Sequence, residues 1–162
     1  MYTVYLAGPM THRPAFNFPL FFEATKVLRE QFGYTVLSPA EKDLETIPEW
    51  LFLNNEKGDL AQLVEESAAN GTPFTMRNAM EWDLPAILKS DGIVLLPEWE
   101  SSTGARYERV VAEALDRDIK LLRRVEIKNQ DPIWLLNFDD KPKRMTEYLS
   151  FFGPIKEKVR YA

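Results

Sequence analysis

Short apolar runs alternate with stretches of helical spacing along this chain, and that alternation restricts it to a sheet with helices packed on its faces. Residues 2–6 (Tyr-Thr-Val-Tyr-Leu) are β-branched and aromatic, and they stop at Ala7-Gly8-Pro9, where extended backbone must turn. From Asn17, a candidate cap, the pattern changes. Pro19 suits a first helical turn, and Leu20, Ala24, Val27 and Leu28 recur at helical spacing until Gly33. Residues 34–37 form a second apolar run, closed by Ser38-Pro39. The opening segment is therefore a β-α-β unit with an expected right-handed crossover and parallel strands. Residues 93–96 and 119–122, separated by a helical stretch from about 104 to 117, repeat the pattern.

Residues 41–74 interrupt it. They read as polar and irregular, with Trp50-Leu-Phe-Leu, a short helix near 59–69 and a break at Asn70-Gly-Thr-Pro, and are expected to form an insertion or lid. Beyond Arg124, residues 133–138 read as an edge strand and 144–152 as a last helix. A length of 162 residues, 45% of them hydrophobic, suits one core. The expectation is a single α/β domain over residues 1–162. It is flavodoxin-like (Rossmann-like), with a doubly wound parallel sheet of four to five strands flanked by helices.

Composition narrows the partners. The chain has no cysteine and one histidine, His12, so neither a disulfide framework nor a zinc site is expected, and no metal or cofactor is assigned. A net charge of −5 argues against long nucleic acid, which requires clustered Lys and Arg. The first residues lack a basic and apolar leader, and no later apolar run is long enough to span a bilayer, so a cytoplasmic protein with no membrane contact is expected.

In an open parallel sheet, ligands sit beyond the carboxyl ends of the strands, which directs attention to the turns after the first and third strands. The first turn holds Gly8, Met10, Thr11 and Arg13, combining a glycine for close backbone approach with a hydroxyl and a guanidinium suited to phosphate; a plain surface loop has the same composition. The second turn, with Trp99, Ser102, Thr103 and Gly104, opens a helix whose free N–H groups favour an anion, although Ser102 or Thr103 serves equally as an ordinary N-cap. In that helix Tyr107, Val110, Val111, Ala114 and Leu115 form one apolar stripe, and Glu108 lies beside it in the first turn. Asp83 shares a helical face with Met76, Met80, Leu84 and Ile87 if residues before the third strand form one helix. Alternatively, Pro85 ends that helix and Asp83 caps a shorter one starting at Leu84.

At these residues the sequence resembles the nucleoside 2-deoxyribosyltransferase family, particularly its 2'-deoxynucleoside 5'-phosphate N-hydrolase branch. The resemblance is carried by Val4-Tyr5-Leu6-Ala7-Gly8, by Trp82-Asp83-Leu84 ahead of Ser90-Asp91-Gly92-Ile93-Val94, and by Ser102-Thr103-Gly104-Ala105-Arg106-Tyr107-Glu108. It spans most of the chain outside 41–74 and the tail. It implies Glu108 as the nucleophile that forms a glycosyl ester, Asp83 as the acid serving the leaving base, Tyr5 at the sugar, and Ser102 and Gly104 at the 5'-phosphate. His12-Arg13 stand where that branch carries glycines, which moves the phosphate contact toward the Arg13 side chain, and Arg106 and Arg109-Val110 also replace glycine positions. The Ala-Gly-Pro-Met-Thr opening and the Leu-Leu-Pro-x-Trp-Glu stretch look more like an uncharacterised, often phage-borne side branch. There, Phe16, Phe18 and Trp99 are candidates for stacking on a base, and core packing is their other use. The resemblance also implies a homodimer or higher homo-oligomer, with Tyr161 as a C-terminal residue that a neighbouring subunit receives.

The expected activity is cleavage of the N-glycosidic bond of a (deoxy)nucleoside 5'-monophosphate through a glycosyl-Glu108 intermediate. Water would release the base as a hydrolase does, or a second base would replace it as in a transferase. The rival from another class is a non-catalytic nucleotide-binding or regulatory protein that keeps the fold.

Overall fold

The computed structural model describes residues 1–139; the helix expected at 144–152 and Tyr161 lie outside the described residues. Five strands make one sheet: β1 (Thr3–Ala7), β2 (Thr35–Leu37), β3 (Gly92–Leu95), β4 (Asp118–Val125) and β5 (Ile133–Phe138). Their order is β2-β1-β3-β4-β5, the flavodoxin-like order, with β1 to β4 parallel and β5 antiparallel on β4 at the edge. The chain leaves β1 for β2 on one side and later returns to β3 on the other, so the switch point lies between β1 and β3.

Alternation along the strands sorts the interior into two layers. Val4, Leu6, Val94 and Leu96 pack with Phe18, Phe21 and Leu28 of α1 (Phe18–Glu30). Tyr5, Ala7, Ile93 and Leu95 face the other way, toward Ala86 and Ile87 of α5 (Met76–Lys89) and Ala105 and Ala112 of α6 (Thr103–Ala114). Burial on both faces is why these strands read as unbroken apolar runs.

Residues 41–74 contain the short helix expected near 59–69, but the rest of the segment is more ordered and more buried than its polar, irregular reading. This stretch includes the end of α2 (Pro39–Asp43), α3 (Glu49–Leu53) and α4 (Leu60–Ala69), and Ile47, Leu51, Phe52, Leu63 and Phe74 join the α1-side core. Phe52 stacks on Phe18 with ring centroids 4.4 Å apart. α2 and α3 have five residues each, too few for an apolar stripe to repeat, so their stretch reads as irregular while its few apolar residues are core. The segment also fastens the loop after β1: His12 N donates to Gly58 O at 2.9 Å and Ala15 N to Asn55 O at 2.9 Å. Gly58 is left-handed (φ +60°), and a Cβ there would lie 2.2 Å from Arg13 O, so this junction admits only glycine.

Helix α5 runs unbroken through Pro85 with Thr75 as its cap, accepting from Asn78 N, so Asp83 is a mid-helix residue and not an N-cap. The stripe expected around it is corrected too: Met76, Met80 and Leu84 are 43–50% exposed, and Ala86 and Ile87 point inward. Asp83 lies on the inner face between Ala79 and Ile87, one step around the helix from the Met-Leu row. Among the described residues, no helix is long and apolar enough to cross a membrane.

Candidate active site

Helix α6 is turned differently from its apolar pattern. Its buried residues are Ala105, Arg109 and Ala112, whereas Tyr107 is half exposed. The two alanines let the backbone come close to the sheet, and the face they occupy carries Glu108 inward with them. Glu108 therefore belongs to the face over the sheet end and does not merely flank the buried stripe.

There it meets Tyr5. The Tyr5 side chain, fully enclosed on the α5–α6 side of β1, donates from Oη to Glu108 Oε1 at 2.8 Å. Asp83 lies against the same hydroxyl, and the Trp82 ring flanks that of Tyr5 with centroids 6.2 Å apart. Among the described residues neither acid is in an ion pair. Burial pushes the Glu108 carboxyl up to about 8, the Asp83 charge adds to that, and the Tyr5 donation opposes it. Burial likewise raises Asp83 to about 6, again against Tyr5. The Tyr5 phenol is held well above its ordinary range by burial and then by the two carboxylates. The two acids thus form a coupled pair that retains one proton across the neutral range.

A third acid escaped sequence reasoning. Asp43, the last residue of α2, reaches the same region, where α2 packs against α5. Burial and then the Asp83 charge raise its carboxyl to about 7. The carboxyl-end rule could have found it, since α2 follows β2 at the same sheet edge as the turns after β1 and β3.

The loop residues divide. Arg13 ties the two turns together, Nη1 meeting Glu98 Oε2 at 3.1 Å and Nη2 donating to Ser101 Oγ at 3.0 Å. Ser102 is the N-cap of α6, its Oγ accepting from Ala105 N at 3.1 Å. Gly104 is exposed, and a Cβ there would meet nothing closer than Ser102 Oγ at 3.8 Å, which leaves the helix start open. Thr11 is exposed and Met10 packs against the α1-side core. Gly8 serves packing: a Cβ there would be 2.8 Å from Leu96 Cβ. The aromatic candidates are corrected. Phe16 and Phe18 are 3% and 0% exposed within the core, and Trp99, 6% exposed, is covered by the Arg109 guanidinium at 4.8 Å, so none presents a ring to a ligand.

Residues 2–121 match the family described as Domain of unknown function (DUF4406). The chain belongs to that family. No curated protein and no solved structure matches it. The stretch matched to DUF4406 takes in Tyr5, Asp43, Asp83 and Glu108 and ends within β4, so the site lies wholly inside it.

In this DUF4406 chain Arg109, next to the candidate nucleophile, is fully buried and ion-paired with Asp139 at 2.5 Å and Glu113 at 3.4 Å. It braces α6 against the end of β5. Among the described residues no three His, Asp or Glu side chains are grouped to hold a metal ion. What the arrangement offers chemically is two buried carboxyls that hold one proton between them near neutrality and a phenol that touches both.

Proposed function

We propose that the chain cleaves the N-glycosidic bond of a (deoxy)nucleoside 5'-monophosphate. The observation that carries this reading is the convergence of Glu108 and Asp83, from two helices, on the Tyr5 hydroxyl. Breaking such a bond passes through an oxocarbenium-like state, which a carboxylate stabilises and traps while a second acid protonates the departing base.

The pair's one proton, which Glu108 holds more tightly in the free protein, first passes by way of Tyr5 to Asp83; Glu108 Oε then attacks the anomeric carbon as the C–N bond breaks, and Asp83 gives its proton to the base nitrogen that keeps the bonding pair. The products of this step are free base, a glycosyl-Glu108 ester and an Asp83 carboxylate. Asp83 then takes a proton from water, whose oxygen displaces Glu108 and restores both groups. Tyr5, in contact with both acids, steadies whichever carries the charge and offers a path for the proton between them. Arg13, Thr11 and the open start of α6 at Ser102 and Gly104 supply the phosphate end, which favours a nucleotide over a nucleoside. A second base in place of water would make the same site a transferase, but two bases in succession need more room.

The test is to incubate the protein with a panel of deoxynucleosides and their 5'-monophosphates and follow free base by chromatography. Base release from a monophosphate, abolished in Glu108→Ala, is expected. Tight binding without release from any member would replace this reading with a non-catalytic nucleotide-binding protein.

A further inference from the structure

We propose that the outer ridge of α5, formed by Met76, Met80, Leu84 and Leu88, is the surface on which a second copy of this chain packs, and that this contact holds in place the helix that carries Asp83. The association stands on the ridge alone; its link to rate rests on the proposed glycosidic cleavage.

Helix α5 is weakly held by its own chain. Its buried side chains are Ala86 and Ile87, both in the C-terminal half. None from Met76 to Asp83 is buried, although that half ends in the acid that lies against the Tyr5 hydroxyl. A helix of 14 residues draws most of its stability from packing rather than from propensity. The solvent side of α5 instead carries four apolar residues at i, i+4, i+8 and i+12, each about half exposed, and among the described residues nothing covers them. A continuous i±4 ridge of this kind interlocks with a like ridge at a crossing angle of about 50°, the commonest way two helices pack.

A second copy fits the ridge on two counts. With Arg77 and Glu81 beside it, the ridge presents on the order of 500 Å² from each copy, and about 1,000 Å² in a pair meets the size of a specific interface. The charges also suit a two-fold pairing. Arg77 and Glu81 have opposite signs and are 87% and 64% exposed. A two-fold axis through Met80 runs the two ridges antiparallel, so that Met76 of one copy meets Leu84 of the other and Met80 meets its counterpart. Arg77 of one copy then comes within reach of Glu81 of the other, and symmetry makes that pair twice. The helix carries two basic residues, Arg77 and Lys89, against two acidic ones, Glu81 and Asp83, so no net charge recommends an anionic surface or a basic partner instead. A copy seated here presses on the outside of the helix whose inner side faces Tyr5, and so limits the rotation that would carry Asp83 away from it.

The experiment is sedimentation velocity on the full chain from about 1 to 100 μM, where a dimer is expected. Met80→Glu and Leu84→Glu, each with a far-UV spectrum like the parent's, are expected to raise the dissociation constant at least about 100-fold. Arg77→Glu and Glu81→Arg should each raise it about 10-fold, and an equimolar mixture of the two should associate more tightly than either alone, since each supplies the sign the other lacks. Amide hydrogen exchange at 79–84 is expected to slow as the dimer forms, and base release per chain to fall as dilution separates it. A chain that stays monomeric overturns the proposal, whether the residues after Asp139 or another protein then cover the ridge. So does a dimer that both glutamate variants leave intact, or a mixture no tighter than its parts. Exchange at 79–84 that ignores association overturns the bracing of Asp83. A dimer that releases no base refutes the proposed activity, while the interface is judged by sedimentation and exchange alone.

Discussion

Tyr5 and Glu108 are joined by a hydrogen bond of 2.8 Å, the phenol donating, although 103 positions separate them in the chain. The bond runs from the middle of β1, which is flanked by β2 and β3, to the second turn of α6. A side chain held this way is fixed by the sheet rather than by a loop, which is what the proposed role of Glu108, meeting one carbon atom as nucleophile, requires. Tyr5→Phe removes the donor and keeps the ring. Because that donation lowers the Glu108 carboxyl toward ionisation, its loss raises Glu108 further. The expected outcome is a fall in kcat/KM of about 10- to 100-fold at neutral pH, with the acidic limb of the profile displaced upward. An unshifted limb in Tyr5→Phe would show that the bond does not tune the nucleophile.

The same burial makes the fold sensitive to pH. Glu108, Asp43 and Asp83 are raised in the folded chain to about 8, about 7 and about 6, from ordinary values of 4.5 and 3.8. A folded-state acid with a raised value binds its proton more tightly than the unfolded chain does, so stability is fullest below the ordinary range. It declines as pH rises through the window up to the folded values, by at most about 1.4 kcal/mol per pH unit for each group. Glu108→Gln removes one contributor. The variant is expected to be more stable than its parent near pH 8, on the order of 1–4 kcal/mol, and equal to it near pH 4. Denaturant midpoints across the range check this, and parallel curves for the two proteins would contradict it.

β1 and β3 were legible because they are covered on both faces, which leaves an apolar run that turn residues punctuate on either side. The rotation of the helices was not. In α6 the sequence advertises Tyr107-Val110-Val111-Ala114-Leu115, yet Ala105 and Ala112 are the buried residues, because close approach to a sheet favours small side chains over large ones. Spacing alone left Glu108 beside the stripe, and only the resemblance singled it out. Phe18 looked available because an aromatic residue at a helix start serves a core or a ligand equally well, and what decides is Phe52, from a stretch that reads as irregular. Asp43 carried no motif at all. Its place follows from the packing of α2 against α5, a long-range fact that no local pattern encodes.

Arg13 separates the nucleotide from the nucleoside. Its ion pair with Glu98 is partly exposed, 31% and 68% for the two side chains, so it adds little to stability, within about 1 kcal/mol. If it also meets the 5'-phosphate, Arg13→Ala should raise KM for a monophosphate about 10-fold or more and leave the corresponding nucleoside nearly unchanged. Steady-state kinetics on the matched pair of substrates reads the difference. Equal losses on both would place Arg13 in the scaffold of the two turns and leave the phosphate to the start of α6.

Arg109 is the residue beside Glu108 whose charge is spent on the fold. Its guanidinium is fully buried over Trp99 and reaches Asp139 at 2.5 Å and Glu113 at 3.4 Å. Removing a partner from a buried pair strands the remaining charge in a poorly solvated site, whereas replacing the charged group by an apolar one of similar length does not. Asp139→Ala is therefore expected to destabilise the chain by roughly 1–4 kcal/mol, the lower part of the range applying to the extent that Glu113 compensates. Arg109→Met, which keeps contact with Trp99, leaves two partly exposed carboxylates that can turn to solvent, and should cost less than Arg109→Ala, which also opens a cavity. Chemical denaturation of the three variants orders them. If Arg109→Met were the most damaging, the guanidinium would have to be a net source of stability, and its position next to Glu108 would have to be reread as electrostatic support for the nucleophile.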